Sequence, residues 1–139
     1  MICFLVFCFL SGVRGRSPRR FIQFGGWMKE SPIFLKTHDL LVWLLATTLK
    51  FPKSQRFVMA LRVQNSALDF YEYLIAAVKR GEAKVDLIQA DIEMEKLRHH
   101  LRLCRDMKLL SLGQFEHVAR MSVEIGNLLG AWLKRARRE

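Results

Sequence analysis

The sequence predicts an all-α protein, an antiparallel up-down-up-down bundle of four helices. Three observations carry this. From Met28 onward, apolar residues recur at helical rather than strand spacing. Proline is confined there to Pro32 and Pro52, so little interrupts the periodic segments. The segments are long and the links between them short, so each helix must return alongside the one before it. Hydrophobic residues make up 51% of the 139 positions, enough for the core of one domain and too many for a disordered chain.

The first helix is predicted from Thr37 to Lys50. Thr37 offers a capping hydroxyl, and Asp39 suits the positive end of the helix dipole. Leu40, Leu41, Trp43, Leu44 and Leu45 make it apolar on more than one side, and Phe51-Pro52 ends it. The second helix is predicted to start near Ser54 as cap, following Pro52 and Lys53. Phe57, Ala60, Leu61, Gln64, Ala67, Leu68, Tyr71, Leu74, Ile75 and Val78 form its inward stripe. Arg62, Asn65, Asp69, Glu72 and Lys79 take the other side, and Gly81 stops it.

The third helix is predicted from Ala83 or Lys84 to Leu110, with Leu87, Ala90, Met94, Leu97, Leu101 and Cys104 facing the core. Its first half is acidic and its second half basic, the order that complements the dipole. Ser111 and Gln114 then match a capping box. The fourth helix follows, with Phe115, Val118, Ser122, Ile125, Leu129, Trp132 and Leu133 on one face. Lys134, Arg135, Arg137 and Arg138 close it at the favourable end.

Residues 1–27 have a different character, and the domain is expected to be 28–139. A ten-residue apolar run, Met1 to Leu10, precedes Arg14, Arg16, Arg19 and Arg20, and the stretch holds no acid. The run is about half the length a membrane-spanning helix needs. In a signal peptide the charges stand before the apolar run, and here they follow it. Codons for Gly25-Gly26-Trp27 accommodate a GGAGG element just ahead of Met28, the signature of a bacterial ribosome-binding site. Residues 1–27 are therefore expected to be a translated leader outside the natural protein, or else a disordered N-terminal extension. The remaining chain stays basic without those four arginines.

The formal net charge of +10 favours acidic partners: nucleic acid, an acidic protein or an anionic membrane surface. Three widely spaced cysteines do not make a disulfide framework, which points to reduced thiols and a cytoplasmic location. The charge is most concentrated in the third helix. Arg98, Arg102 and Arg105 fall at i, i+4 and i+7, one stripe beside the core-facing Leu97, Leu101 and Cys104. The expectation is a positive ridge facing outward, with phosphate as its partner, because the arginine fork donates two parallel hydrogen bonds. His99, Lys108, Lys134 and Arg135 are candidate additions. The plainer alternative is a solvated face partly neutralised by Glu95 and Asp106.

Other constellations point away from catalysis. No nucleophile–base pair, phosphate-cradling glycine loop or paired-carboxylate arrangement stands out, and Glu93 and Glu95 fall on different faces. His100 and Cys104 are spaced as two metal ligands could be, but nothing completes a site; a buried cysteine beside a surface histidine is the simpler reading. No metal and no cofactor is expected. Gly126 and Gly130 share a face of the fourth helix, where glycine costs up to about 1 kcal/mol against alanine. Close approach of another helix, within the bundle or between subunits, is the expected compensation, and a local bend is the alternative. Trp132 is either core or part of a subunit interface, where aromatics are enriched.

Three elements together carry a family resemblance: Phe51-Pro52 before the second helix, Leu97-Arg98-x-x-Leu101-Arg102 in the third, and Glu124-Ile125-Gly126-x-Leu128-Leu129-Gly130-Ala131-Trp132 in the fourth. In this order and spacing, from about Ile33 to Lys134, the chain resembles Avd, the accessory variability determinant of diversity-generating retroelements. The resemblance implies a basic four-helix bundle assembled as a homopentameric barrel. It implies partners: the reverse transcriptase of the same retroelement, template RNA and cDNA. The role implied is non-enzymatic support of mutagenic cDNA synthesis, with no membrane. Arg98 and Arg102 match the family's paired third-helix arginines and inherit a nucleic-acid or partner role. Residues 1–27 have no counterpart in the resemblance. The competing reading is a four-helix bundle of the ribosomal-RNA intervening-sequence type, a structural or protein-interaction module without a nucleic-acid ligand.

Overall fold

The structure, a computed structural model, describes residues 31–80 and 83–138. Residues 1–27, expected to be a leader or extension, and Gly81, expected to stop the second helix, lie outside the described residues. Every regular element described is helical.

Helix α1 spans Pro32–Thr48, beginning five residues before the predicted start. Ser31 is the cap residue, though its side chain makes no capping bond, and Pro32 sits where its fixed φ suits the first turn. Ile33 and Phe34 are buried, so the apolar stripe runs upstream of the predicted cap. Thr37 is therefore interior. Its Oγ1 donates to the Ile33 carbonyl at 2.6 Å, which satisfies the hydroxyl within the helix.

After Pro52, a turn of helix over Lys53–Gln55 passes through a π-helical segment, Arg56–Ala60, into α2, Leu61–Lys79. Ser54 does not cap this element; Pro52 precedes it. The inward face also differs from the predicted stripe. Met59, Ala60, Val63, Ser66, Ala67, Phe70, Leu74 and Ala77 are buried. Phe57 stands 84% exposed, and Leu61 and Leu68 are exposed as well. Apolar residues occur on two adjacent faces of this helix, so periodicity alone did not separate core from surface.

Helix α3 spans Ala83–Asp106, and all six predicted core residues are buried. It ends four residues before the predicted end. The Lys108 N–H donates to the Arg105 carbonyl at 2.9 Å and the Leu109 N–H to the Cys104 carbonyl at 2.8 Å. Lys108 has φ 59°, so the pattern is a Schellman cap with lysine in the left-handed position that glycine usually takes. Helix α4 spans Leu112–Ala136 and opens on the predicted capping box. The Gln114 N–H donates to Ser111 Oγ at 3.2 Å, and the Ser111 N–H donates to Gln114 Oε1 at 2.9 Å. Val118, Ser122, Ile125, Leu129 and Leu133 are buried; Phe115 and Trp132 are half-buried against the core.

Each helix packs on its neighbours in sequence, most extensively α2 on α3, and α1 closes the ring against α4. The short links leave neighbours antiparallel, so the four form a helical bundle. Polar contacts pin the pairs at the rim of the core. Gln64 Nε2 donates to Thr48 Oγ1 at 2.8 Å between α2 and α1, and Lys36 pairs with Glu124 at 2.5 Å between α1 and α4. Trp43 lies against His117 with ring centroids 5.3 Å apart.

Candidate nucleic-acid interface

The packing of α4 decides where the arginine stripe points. Leu97, Leu101 and Cys104 face the core, and α4 lies beside them. The stripe therefore runs along the α3–α4 seam, with Arg98 half-buried and Arg102 and Arg105 exposed. Arg98 is the most enclosed of the three, its side chain 27% exposed. Its Nη1 donates to Glu95 Oε1, and its Nη2 crosses to α4 and donates to the Ser122 carbonyl at 3.0 Å. That carbonyl is available because it faces the seam on the same side as Gly126. A β-carbon built on Gly126 would overlap Arg98 Nη2. Gly126 thus makes room for a guanidinium, not for a second helix backbone. A β-carbon on Gly130 would meet open space, so no close approach among the described residues explains it.

Arg105 is also engaged. Its Nε and Nη2 donate to Asp106 Oδ1 at 2.9 and 2.8 Å, and its guanidinium carbon lies 4.7 Å from the centre of the Phe115 ring. Arg102, between them, is exposed, with no hydrogen bond or ion pair to the described residues. A cation spared by its neighbours is the one most available to an external anion. The alternative anticipated from Glu95 and Asp106 is thus half realised: both carboxylates pair with a stripe arginine, and the central arginine stays unpaired.

The remaining candidates divide into two groups. His99 is exposed on α3, and Lys108 is exposed just beyond its end, off the helical stripe. Lys134 and Arg135 are exposed in the last turn of α4. Arg135 and Trp132 line a hollow with Ala83, which places them at the end of the bundle where α3 begins. They do not join Arg102. Trp132 and Arg135 also border a groove formed with Pro32 and Val78.

Along the seam lies a groove of about 360 Å³. Arg98, Arg102, Glu95, Ser122 and Asn127 supply its polar groups, and Leu101, Phe115, Ala119 and Val123 its apolar lining. Asn127 and Val123 were not singled out from the sequence. Polar and small residues on a basic helix's neighbour carry no distinctive periodic signal, and only the pairing of α3 with α4 brings them to the arginines.

His100 is half-buried, not on the surface. Its Nδ1 shares a 3.2 Å hydrogen bond with Ser66 Oγ on α2. Burial, and after it the nearby Arg62 cation, holds its imidazole below the usual value. Cys104 is a free, fully buried thiol, pushed up to about 11 by burial. A thiol so rarely ionised is a packing residue and not a nucleophile at neutral pH. Among the described residues, no three His, Cys, Asp or Glu side chains gather as a metal site. No helix there is long and apolar enough to cross a membrane.

A second surface is apolar. Leu45 on α1 and Leu61 and Leu68 on α2 are exposed, as are Leu49 just after α1 and Phe57 in the π-helical segment. Leu45 lies three residues before Thr48, and Leu61 and Leu68 lie three before and four after Gln64, so these three flank the Thr48–Gln64 hydrogen bond between α1 and α2.

A family model described as bAvd-like matches residues 33–136. A search of curated proteins finds no match.

Proposed function

Because the chain belongs to the bAvd-like family, we propose that it is the non-enzymatic accessory subunit of a diversity-generating retroelement reverse transcriptase. The family is of an accessory, non-catalytic kind and implies partnership with retroelement components. In this reading the bundle binds nucleic acid through Arg102 and the surrounding α3–α4 seam, and it binds the transcriptase, so that mutagenic cDNA synthesis proceeds. The single observation that carries the nucleic-acid role is Arg102, an exposed guanidinium held in a row of arginines and left unpaired by its neighbours. A polyanion supplies the counter-charge that Arg102 lacks among the described residues. Arg98 supports the site by holding α3 to α4, and Arg105 by its stacking on Phe115.

Assembly into a symmetric homo-oligomer, a pentamer by family resemblance, belongs to the same proposal. The exposed Leu45, Leu61 and Leu68 beside the α1–α2 contact support an interface, since neighbouring exposed apolar side chains favour burial in a partner. Residues 28–139 are taken as the functional unit, acting in the cytoplasm.

The test is co-purification with the reverse transcriptase of the proposed retroelement, together with RNA binding by the wild type and Arg102→Ala. The variant should bind several-fold more weakly at low salt, and its log–log salt dependence should flatten by about one unit. Unchanged affinity and slope would favour a protein-interaction bundle without a nucleic-acid ligand. The internal engagement of Arg98 and Arg105 is the observation on the side of that second reading.

A further inference from the structure

Resting on the nucleic-acid reading above, we infer that the α3–α4 groove takes a single unpaired base of a single-stranded nucleic acid, with its phosphate on Arg102. At about 360 Å³ the groove lies at the small end of ligand pockets, which run from roughly 300 to 1,000 Å³. A surface meant only to attract a duplex backbone needs cations and no cavity. Here the cations border a slot whose walls are apolar at Phe115 and Val123. A base stacked and paired within a duplex cannot enter such a slot, whereas an unstacked base exposes both its faces and its edges.

The polar groups around the slot suit those features separately. Arg98 donates from both terminal nitrogens, to Glu95 and to the Ser122 carbonyl, so its plane is fixed. A guanidinium whose edge is already bonded offers its face, and guanidinium faces stack on bases. Its charge is offset by Glu95, so Arg98 is suited to stacking more than to holding a phosphate. Arg102 keeps its whole donor edge for the phosphate. The Asn127 amide, exposed at the groove, carries both a donor and an acceptor and can bond a base edge. An acidic peptide would use the cation but leave the apolar walls and the fixed arginine plane without a role.

The experiment measures binding of labelled single-stranded RNA and DNA and of duplexes of the same sequence. The full chain is compared with Val123→Trp, which fills the slot without removing a charge. Asn127→Ala is the gentler second variant, and the helicity of each is checked. The expectation is that single strands bind about tenfold tighter than duplexes, and that Val123→Trp removes most of that preference. Asn127→Ala should lower single-strand affinity by a smaller factor. Equal affinity for both forms, unaffected by either variant, would overturn the slot while leaving the basic seam as a backbone-binding surface. Absence of binding to any nucleic acid would instead overturn the proposed function itself. A poly-glutamate peptide whose binding falls on Val123→Trp as far as the single strand's would also overturn the base slot.

Discussion

The guanidinium of Arg98 occupies the space that a side chain at residue 126 would fill, so the arginine of α3 and the glycine of α4 are one feature. This explains how an interior glycine, unfavourable in a helix by itself, is accommodated: it opens the Ser122 carbonyl side of α4 to a charged donor. A hydrogen bond from a charged group contributes more than a neutral one, roughly 1.5–3 kcal/mol at full strength and less where water reaches it, as here.

Gly126→Ala should therefore displace Arg98 at little net cost, because the alanine's helix preference of about 1 kcal/mol offsets the loosened contact. In an Arg98→Ala background the same substitution should stabilise by about 1 kcal/mol, since nothing then occupies the space. Denaturant unfolding of the four proteins in the double-mutant cycle measures the coupling. Strictly additive effects would show that the two residues do not share that space.

Lys108→Gly should raise stability by about 1 kcal/mol, because a side chain in the left-handed region is strained and glycine is not. The thermal midpoint should rise by about 4 °C. Its basic charge lies off the arginine stripe, so nucleic-acid affinity should fall by less than for Arg102→Ala.

Ser111→Ala should cost about 1 kcal/mol through loss of the bond from the Gln114 N–H. The effect should appear in the unfolding midpoint with an unchanged denaturant slope. Ser54→Ala, at another predicted cap, should have almost none, since Ser54 caps nothing.

His100 sets a pH dependence. Its folded value is lowered by burial, then by Arg62, with His99 and Lys96 in the same direction and Glu93 opposing. The unfolded chain thus takes up the proton more readily. The stabilising contribution is fully present above the unfolded value of about 6.5 and is lost as pH falls through the lower folded value. Between about pH 7 and pH 5, the wild type should lose more thermal stability than His100→Asn, which keeps an acceptor for Ser66 but no titrating ring. Parallel pH profiles for the two proteins would exclude His100 as the source.

The sequence determined what depends on neighbours along one helix. The core stripe of α3, the Ser111–Gln114 box and the all-helical class all follow from spacing that a rigid 3.6-residue repeat enforces. The family was legible too, from motifs whose order survives without any fold. What failed was the choice between equally periodic options: the start of α1, where Pro32 and not Thr37 opens the helix, and the inward face of α2, where Phe57 and Leu61 competed with Val63 and Phe70. Only tertiary structure decided those, because burial depends on which face meets a neighbour. It also decided the fate of the arginines. Their spacing put them on one stripe, but the position of α4 turned Arg98 onto Gly126 and Arg105 onto Phe115, leaving Arg102 unpaired. Charge and period are properties of the chain, whereas the partner that satisfies or spares a charge lies across the packing of two helices.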